Sequence, residues 1–429
     1  MKNRIFHPYT PFSAIDKGFP NVVRGEGMHL IDDQGRRYVD VVSTWWACAL
    51  GHGREEVVRA IREQASVLQH SIAGSLTHPG VLKLADRLAG FMPTPDRHVV
   101  FASDGCSAVE AALKVALQYW HNVGRPEKNL LIGMDQGYHG DSLGALGVGF
   151  VDRFHEPFER ITRHSAKLPF PNPGPGDPDG FEPAREILER HAERLAAVIV
   201  EPLCLGSAGM KIYSAGYLKK LADCCAENDV LLIVDEIAMG FGRTGRRFAF
   251  DHAGIDPDLV CVGKALTAGY MPLSACIVKD ALYETFSDQG EKDRTFYHGN
   301  TFAGHPIGCA AALAALDVYE TEDVVAHTAE KAKRMEARMR EKLDLPAVRE
   351  LRFLGLIGVA ELEPAWRDRV PAIKQRLFAR GYLFRPLETV FYLMPPLVIP
   401  DAELDDAVDA LAESILAETT GRTEAPSPE

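Results

Sequence analysis

The chain is 429 residues long, 46% hydrophobic and 25% charged, and its 60 acidic side chains against 47 Lys and Arg give a formal charge of −13. That length supports two or three domains around a large core, and the acidic balance argues against a strong nucleic-acid binder. No apolar run reaches the roughly 18 to 20 residues of a membrane helix, and the opening MKNRIFHPYTPFSAID lacks the apolar stretch of a secretory signal. The eight cysteines form no CxxC pair and sit mostly in apolar surroundings, which fits reduced thiols rather than a disulfide framework or a zinc site. The expectation is a cytoplasmic globular protein that works on small molecules, with no metal, nucleic-acid or membrane partner.

In chain order, Val57, Ile61, Ala65 and Leu68 recur at helical spacing across Glu55–Gln69. Strands are predicted at His98–Ala102, Asn129–Met134, Ala196–Val200, Val230–Val234 and Leu259–Val262, with helices such as Ser107–Trp120 and Tyr217–Asn228 between them. This alternation predicts an α/β domain around a mostly parallel sheet. Pro169–Gly180, PFPNPGPGDPDG, excludes a helix or strand interior. It reads as a long surface loop rather than a domain boundary, because the α/β pattern resumes beyond it without a change in composition. The last hundred residues change character. A charged helix over Ala329–Leu343 carries the apolar stripe Ala332, Met335, Met339 and Leu343, and shorter strands follow at Leu356–Ala360 and Val390–Met394. The predicted organisation is a large α/β domain over 49–314 and a smaller α+β domain built from 1–48 and 315–429. The polar tail Thr419–Glu429 is expected to fray.

Gly240–Gly245, GFGRTG, formally matches the dinucleotide fingerprint GxGxxG. That fingerprint works only at a strand-to-helix turn with an acidic residue about 20 positions later. Here Asp235–Glu236 intervenes, the following RRFAFDHAGIDPD is no amphipathic helix, and no acid lies near position 265. The context speaks against nicotinamide or flavin binding.

Four other segments carry chemistry. In VVFASDGCSAVEAALKVALQYW a buried strand ends in a small polar turn at Gly105 and opens a helix, whose free N–H groups suit a phosphate. In VLLIVDE a buried strand delivers Asp235, which costs free energy unless it meets a helix cap, a metal or a protonated pyridine nitrogen. In DLVCVGKAL another strand delivers Lys264, and a lysine on so short a leash can condense with an aldehyde when burial lowers its pKa. In YHGNTFAGHPIG, Gly299, Asn300 and Thr301 are further phosphate donors. Singly, each has a plainer reading as a turn or cap. Together, an acid that keeps a pyridine nitrogen protonated and a lysine that holds an aldehyde are what pyridoxal phosphate (PLP) needs.

The order of these pieces, with Gly137-Tyr138-His139-Gly140 and Glu201-Pro202 between the first and second and FGRTG after Asp235-Glu236, resembles the class III aminotransferases of PLP fold type I. The resemblance spans residues 7 to 400 and implies a PLP-dependent aminotransferase with Lys264 and Asp235 catalytic. It also implies a homodimer with shared active sites. Gly105 and Cys106 of one subunit and Asn300 and Thr301 of the other would bind the phosphate, and Tyr138 would lie near the ring.

A finer likeness, to the biotin-synthesis branch of the family, rests on His7-Pro8-Tyr9-Thr10, Ser43-Thr44-Trp45-Trp46-Ala47, Phe384-Arg385-Pro386 and Tyr392-Leu393-Met394-Pro395-Pro396. It implies amino transfer from S-adenosylmethionine or lysine to 8-amino-7-oxononanoate. Tyr9, Trp45, Trp46, Tyr138, Lys264 and Gly299 would then meet the substrate, Arg385 its far carboxylate, and Arg243 is a candidate for the donor's α-carboxylate. Two aromatics pack a methylene chain and Arg matches a carboxylate bidentately. The chain departs from the family pattern at Cys106, where a hydroxyl residue is common, in the turn ACALGHGREE, and at Ala238-Met239-Gly240. The competing readings are another ω-amino acid or diamine aminotransferase, an intramolecular aminomutase or racemase, and an NAD-binding oxidoreductase using GFGRTG.

Overall fold

The computed structural model describes residues 4–15, 18–160, 162, 166–287 and 293–420. Three short antiparallel strands, β1 (Val22–Glu26), β2 (His29–Asp32) and β3 (Arg37–Val39), open the chain. The central sheet follows with β4 (Arg97–Ala102), β5 (Leu130–Gly133) and β6 (Leu195–Val200). After a small hairpin of β7 (Cys204–Leu205) and β8 (Lys211–Ile212) it is completed by β9 (Leu231–Asp235), β10 (Leu259–Val262) and β11 (Ser274–Lys279). Its spatial order is β4-β11-β10-β9-β6-β5, parallel throughout except for β11, which runs antiparallel between β10 and β4.

Every residue of β6, β9 and β10 is buried, as expected for parallel strands covered on both faces. The period-2 alternation splits them between two apolar layers. Val198, Val200, Leu232, Val234, Val260 and Val262 face one layer, and Ala197, Ile199, Ile233, Leu259 and Cys261 face the other. Helix Gly105–Asn122 covers the second layer with Val109, Ala112, Leu113 and Ala116.

A second antiparallel sheet, β12 (Val348–Leu354), β13 (Ile357–Leu362) and β14 (Val390–Leu393), packs with helices Val324–Lys342, Val370–Ala379 and Asp401–Thr419. The chain's beginning is stitched to this late region. The Val39 N–H donates to Gly381 O at 2.7 Å, Leu383 N–H to Val39 O at 3.0 Å, and Met394 N–H to Val41 O at 2.9 Å.

The expected α/β fold is present, and each predicted central strand lies within a residue or two of an observed one. Strand β11, SACIVK, is not among the predicted strands, although its ACIV is as apolar as the LVCV of β10. Pro169–Gly180 forms no helix or regular strand, only an isolated bridge between Gly174 and Asp177. GFGRTG is a turn with Gly242 and Gly245 at positive φ, followed by a short 3-10 helix at Ala249–His252 rather than a phosphate-binding helix. Among the described residues no helix is long and apolar enough to cross a membrane. The expected fraying of the tail beyond residue 420 falls outside the described residues.

Gly133 ends β5 where a Cβ would sit 1.9 Å from the Val148 carbonyl oxygen, whereas nothing lies within 4 Å of a Cβ on Gly90. Gly133→Ala is therefore expected to cost about 1–3 kcal/mol or more, and Gly90→Ala to be neutral or slightly stabilising. Thermal melting of the two variants beside the parent protein checks this, with the midpoint falling only for Gly133→Ala.

Candidate active site

The carboxyl ends of the parallel strands converge, which is where open α/β sheets bind their ligands. Asp235 is the last residue of β9 and Glu201 follows β6 directly. Lys264 comes two residues after β10, and Tyr138 and His139 lie in the loop after β5. The turn after β4 carries Asp104, Gly105 and Cys106. These groups line an inner cavity of about 270 Å³. An adjoining outer cavity of about 380 Å³ shares Trp46, Tyr138, Asp141 and Lys264 with it and adds Tyr9, Thr44, Trp45, Phe154, Ser207 and Arg385.

Asp235 is held on two sides, since its Oδ2 meets His139 Nδ1 at 2.7 Å and its Oδ1 accepts the Ile237 N–H at 3.2 Å. Its side chain is only 5% exposed, so these contacts fix the carboxylate as well as partner it. Lys264 is ringed by protein, and burial lowers its ammonium pKa against the opposing pull of the Asp235 and Glu201 carboxylates. Its Nζ lies 4.7 Å from the centre of the Trp46 ring. The lysine backbone is left-handed, with φ +42°, a conformation that persists only when the surroundings over-determine it.

Glu201 accepts the Tyr138 N–H at 2.9 Å and the Gly206 N–H at 3.1 Å, which ties the β5 and β6 loops together. Burial raises its pKa to about 7. At the helix start Asp104 accepts the Ser107 N–H at 3.0 Å, a regular N-cap. The Cys106 thiol donates to the same carboxylate at 2.9 Å, and burial together with Asp104 pushes its pKa up to about 11. Opposite it Gly140 stands at φ +116°, where a Cβ would fall 2.2 Å from Cys106 Cβ, so only glycine lets these loops approach.

The outer cavity has aromatic walls and one cationic end. Tyr9 donates its hydroxyl to Asp141 at 2.5 Å and packs edge-on against Trp45 and Phe154. Burial and the Asp141 bond push its pKa up to about 12, while burial, Tyr9 and Asp141 raise that of Tyr138 further. The Arg385 guanidinium stacks 4.0 Å from the Trp45 ring centre, and among the described residues no carboxylate pairs with it. Both tryptophans sit on a run of four left-handed residues, Ser43, Thr44, Trp45 and Trp46, with φ between +46° and +72°. Such backbone costs roughly 1–2 kcal/mol per residue outside glycine.

Of the residues expected at the site, Tyr9, Trp45, Trp46, Tyr138, Lys264 and Arg385 line the outer cavity, and Gly105, Cys106, Tyr138, Asp235 and Lys264 the inner one. Gly299, Asn300 and Thr301 line neither cavity of their own chain and lie in a largely exposed loop. Arg243 lines neither cavity. It is 2% exposed and donates to Pro395 O at 2.6 Å, with longer contacts to Leu356 O and Ser43 Oγ at 3.4 Å. Burial lowers its pKa to about 10. The missed groups are His139, Glu201, Asp141 and Ile237, whose methyls face Gly105 and Gly263. Glu201 had a readable signal, because LAAVIVE runs from a buried strand into an acid as VLLIVDE does.

A half-buried lysine and a buried aspartate lining one cavity at the ends of parallel strands, beside a glycine turn that opens a helix, fit the fold type I class of PLP-dependent enzymes. The model of the aminotransferase class-III family matches residues 14–415, and the chain belongs to that family of PLP-dependent transaminases. It is 36% identical to the adenosylmethionine-8-amino-7-oxononanoate aminotransferase of Geobacter sulfurreducens over 98% of this chain and 97% of that protein. The crystal structure of the enzyme of the same name from Methanocaldococcus jannaschii superposes with a TM-score of 0.91 at 34% identity, covering 96% of this chain and 97% of the other. An ω-transaminase from Pseudomonas jessenii, solved in complex with PMP, gives 0.91 at 26% identity, covering 97% and 96%.

Beside Asp235, Glu236 is fully buried, accepts the Phe250 N–H at 2.8 Å through Oε1, and is pushed by burial from 4.5 to about 8. A carboxyl whose pKa is raised on folding stabilises the fold fully below its unfolded value and loses that contribution as pH rises through its folded value. Stability against urea is therefore expected to fall between pH 5 and about 8, and Glu236→Gln to flatten part of that slope. The unfolding midpoint measured across this range checks it.

Proposed function

We propose that this aminotransferase passes an amino group from S-adenosylmethionine or lysine to 8-amino-7-oxononanoate, giving 7,8-diaminononanoate for biotin synthesis, with PLP resident in the inner cavity. The observation that carries the substrate reading is Arg385. A guanidinium without a carboxylate partner stands in an aromatic-walled cavity that also holds the Lys264 amine, so a chain with a reactive carbon at one end and a carboxylate at the other suits it. The names of the full-length relatives agree with that reading.

The donor set of the inner cavity suits PLP. Asp235, already held by His139 and Ile237, would keep the ring nitrogen protonated. The N-terminus of helix Gly105–Asn122 presents backbone N–H groups for the phosphate. The thiol of Cys106 is turned to Asp104, so this residue would contribute its backbone rather than its side chain. The cofactor supplies an aldehyde that accepts the amino group and a protonated ring that withdraws electrons from the carbon being deprotonated.

The rest is done by the chain's own side chains. Lys264 would hold the aldehyde, and burial, which works against its charge, suits its Nζ to take the substrate proton and return it. Tyr138, Trp45 and Trp46 pack the methylene chain and exclude water, and Tyr9 closes the wall through Asp141. Arg385 orients the far carboxylate. The exposed loop bearing Gly299, Asn300 and Thr301 supports a homodimer in which that loop reaches the phosphate end of the other protomer's cavity. Its Tyr297 is 81% and Phe302 56% exposed, an apolar surface that a second copy would cover.

The test is to follow the visible band of the cofactor-loaded protein while S-adenosylmethionine, lysine and simple diamines are added separately. Bleaching by S-adenosylmethionine or lysine and recovery with 8-amino-7-oxononanoate are expected. Bleaching only by another amine would keep the transaminase and discard the biotin step. Arg385→Ala is expected to abolish oxononanoate turnover while sparing reaction with a simple amine, and Lys264→Ala to remove both. If Arg385→Ala leaves both activities intact, its carboxylate role is wrong.

A further inference from the structure

The run Ser43–Trp46 contains no glycine or asparagine, yet all four residues are left-handed, a region few L-residues enter without help. Its products are two cation contacts from consecutive side chains. Trp46 underlies the Lys264 amine and Trp45 underlies the Arg385 guanidinium. The position of this one turn therefore bears on both cations of the substrate cavity.

What holds the turn lies outside either cavity. The Asp40 side chain is 1% exposed. Its Oδ1 accepts the Val42 N–H at 3.3 Å, and its Oδ2 accepts the Thr44 hydroxyl at 2.6 Å and meets His52 Nε2 at 3.1 Å. Burial works against a charge on His52, but Asp40 and Cys48 outweigh it and push its pKa up to about 9. The carboxylate is thus paired with a cation while it binds the Val42 N–H just before the strained run and the Thr44 hydroxyl within it, an Asx-type anchor. Downstream, Ser43 Oγ donates to Met394 O at 2.7 Å and Trp46 Nε1 to the Tyr392 hydroxyl at 3.2 Å, so the turn is fixed at both ends.

We propose that Asp40 is a positioning residue whose carboxylate, backed by His52, holds Ser43–Trp46 left-handed and thereby sets the span between the Lys264 amine and the Arg385 guanidinium, by which the enzyme selects the length of its carboxylate-bearing substrate. This rests on the reading that the outer cavity takes such a substrate. Releasing the anchor frees the tryptophans, and the two cations lose their common support. Weaker and less length-selective binding follows, while Asp235, held by His139 and the Ile237 N–H, stays in place.

The experiment compares the cofactor-loaded parent with Asp40→Asn, His52→Gln and the double variant Asp40→Asn/Thr44→Gly, in which glycine enters the left-handed region without an anchor. Three quantities are read: KM and kcat for 8-amino-7-oxononanoate, turnover across ω-oxo carboxylic acids of graded length, and near-UV circular dichroism of the tryptophans. For Asp40→Asn the expected result is KM raised about tenfold, equivalent to ~1.4 kcal/mol, with kcat changed much less. A broadened length profile and weakened tryptophan dichroism should accompany it, and the double variant should recover most of the KM loss. An unchanged KM and length profile, or a double variant that stays as impaired as the single one, overturns the proposal. Should Asp40→Asn fail to fold, His52→Gln decides in the same way, with a smaller rise in KM expected and no change fatal. If the parent does not turn over oxononanoate, the substrate reading fails by itself, and the length profile and dichroism still judge the role of Asp40.

Discussion

Charge placed at the end of buried strands is the constraint around which this molecule is arranged. The strands β6, β9 and β10 are buried throughout and covered on both faces, and their apolar runs lead into Glu201, Asp235 and Lys264. An unpaired ion in such surroundings is strongly unfavourable, so each has acquired fixed partners. Asp235 has His139 and a backbone N–H, Glu201 has two backbone N–H groups, and Lys264 has the face of Trp46 and the field of both acids. The loops that supply these partners come from distant parts of the chain. Satisfying the charges and assembling the site are the same event.

The two adjoining cavities draw on different parts of the chain. The inner one collects the acid, the helix start and the glycine turn, all delivered by the central sheet. The outer one takes its walls from both ends of the chain, with Tyr9, Trp45 and Trp46 from the beginning and Arg385 from the late region. Lys264, Trp46, Tyr138 and Asp141 belong to both. Class III chemistry can therefore stay constant in the inner chamber while the outer chamber changes its aromatic and cationic lining. An oxononanoate aminotransferase and an ω-transaminase each superpose on this chain with a TM-score of 0.91.

Much of this was legible in the sequence because buried parallel strands leave unbroken apolar runs, and a charged residue ending such a run stands out. Asp235 and Lys264 stand out that way, and so do all five strands of the central sheet that precede the antiparallel β11. Glu201 carries the same signature and was passed over as part of a Glu-Pro pair. His139 had no local signal, since its meaning lies in a partner 96 residues away. Arg243 is a different case. A charged residue in a glycine-rich turn looks ready for a ligand, but its guanidinium is consumed by backbone carbonyls at Leu356 and Pro395 that no periodicity reveals. The left-handed run at Ser43–Trp46 was equally silent, because none of its residues is a type that favours that conformation.

The bond from Ser43 Oγ to Met394 O spans 351 positions of the chain, and the one from Trp46 Nε1 to the Tyr392 hydroxyl spans 346. During synthesis the first fifty residues therefore emerge long before the groups that hold them exist. The central sheet can form around β4 to β11 while the amino-terminal segment waits without its anchors, exposing its adjacent tryptophans to any other apolar surface. Contacts of such sequence separation form slowly, and chains with late partners are prone to misassembly. The ribosome must deliver the chain past Arg385 and Leu387 before the outer cavity is complete, so a truncation ahead of them opens that cavity as surely as a deletion at the start.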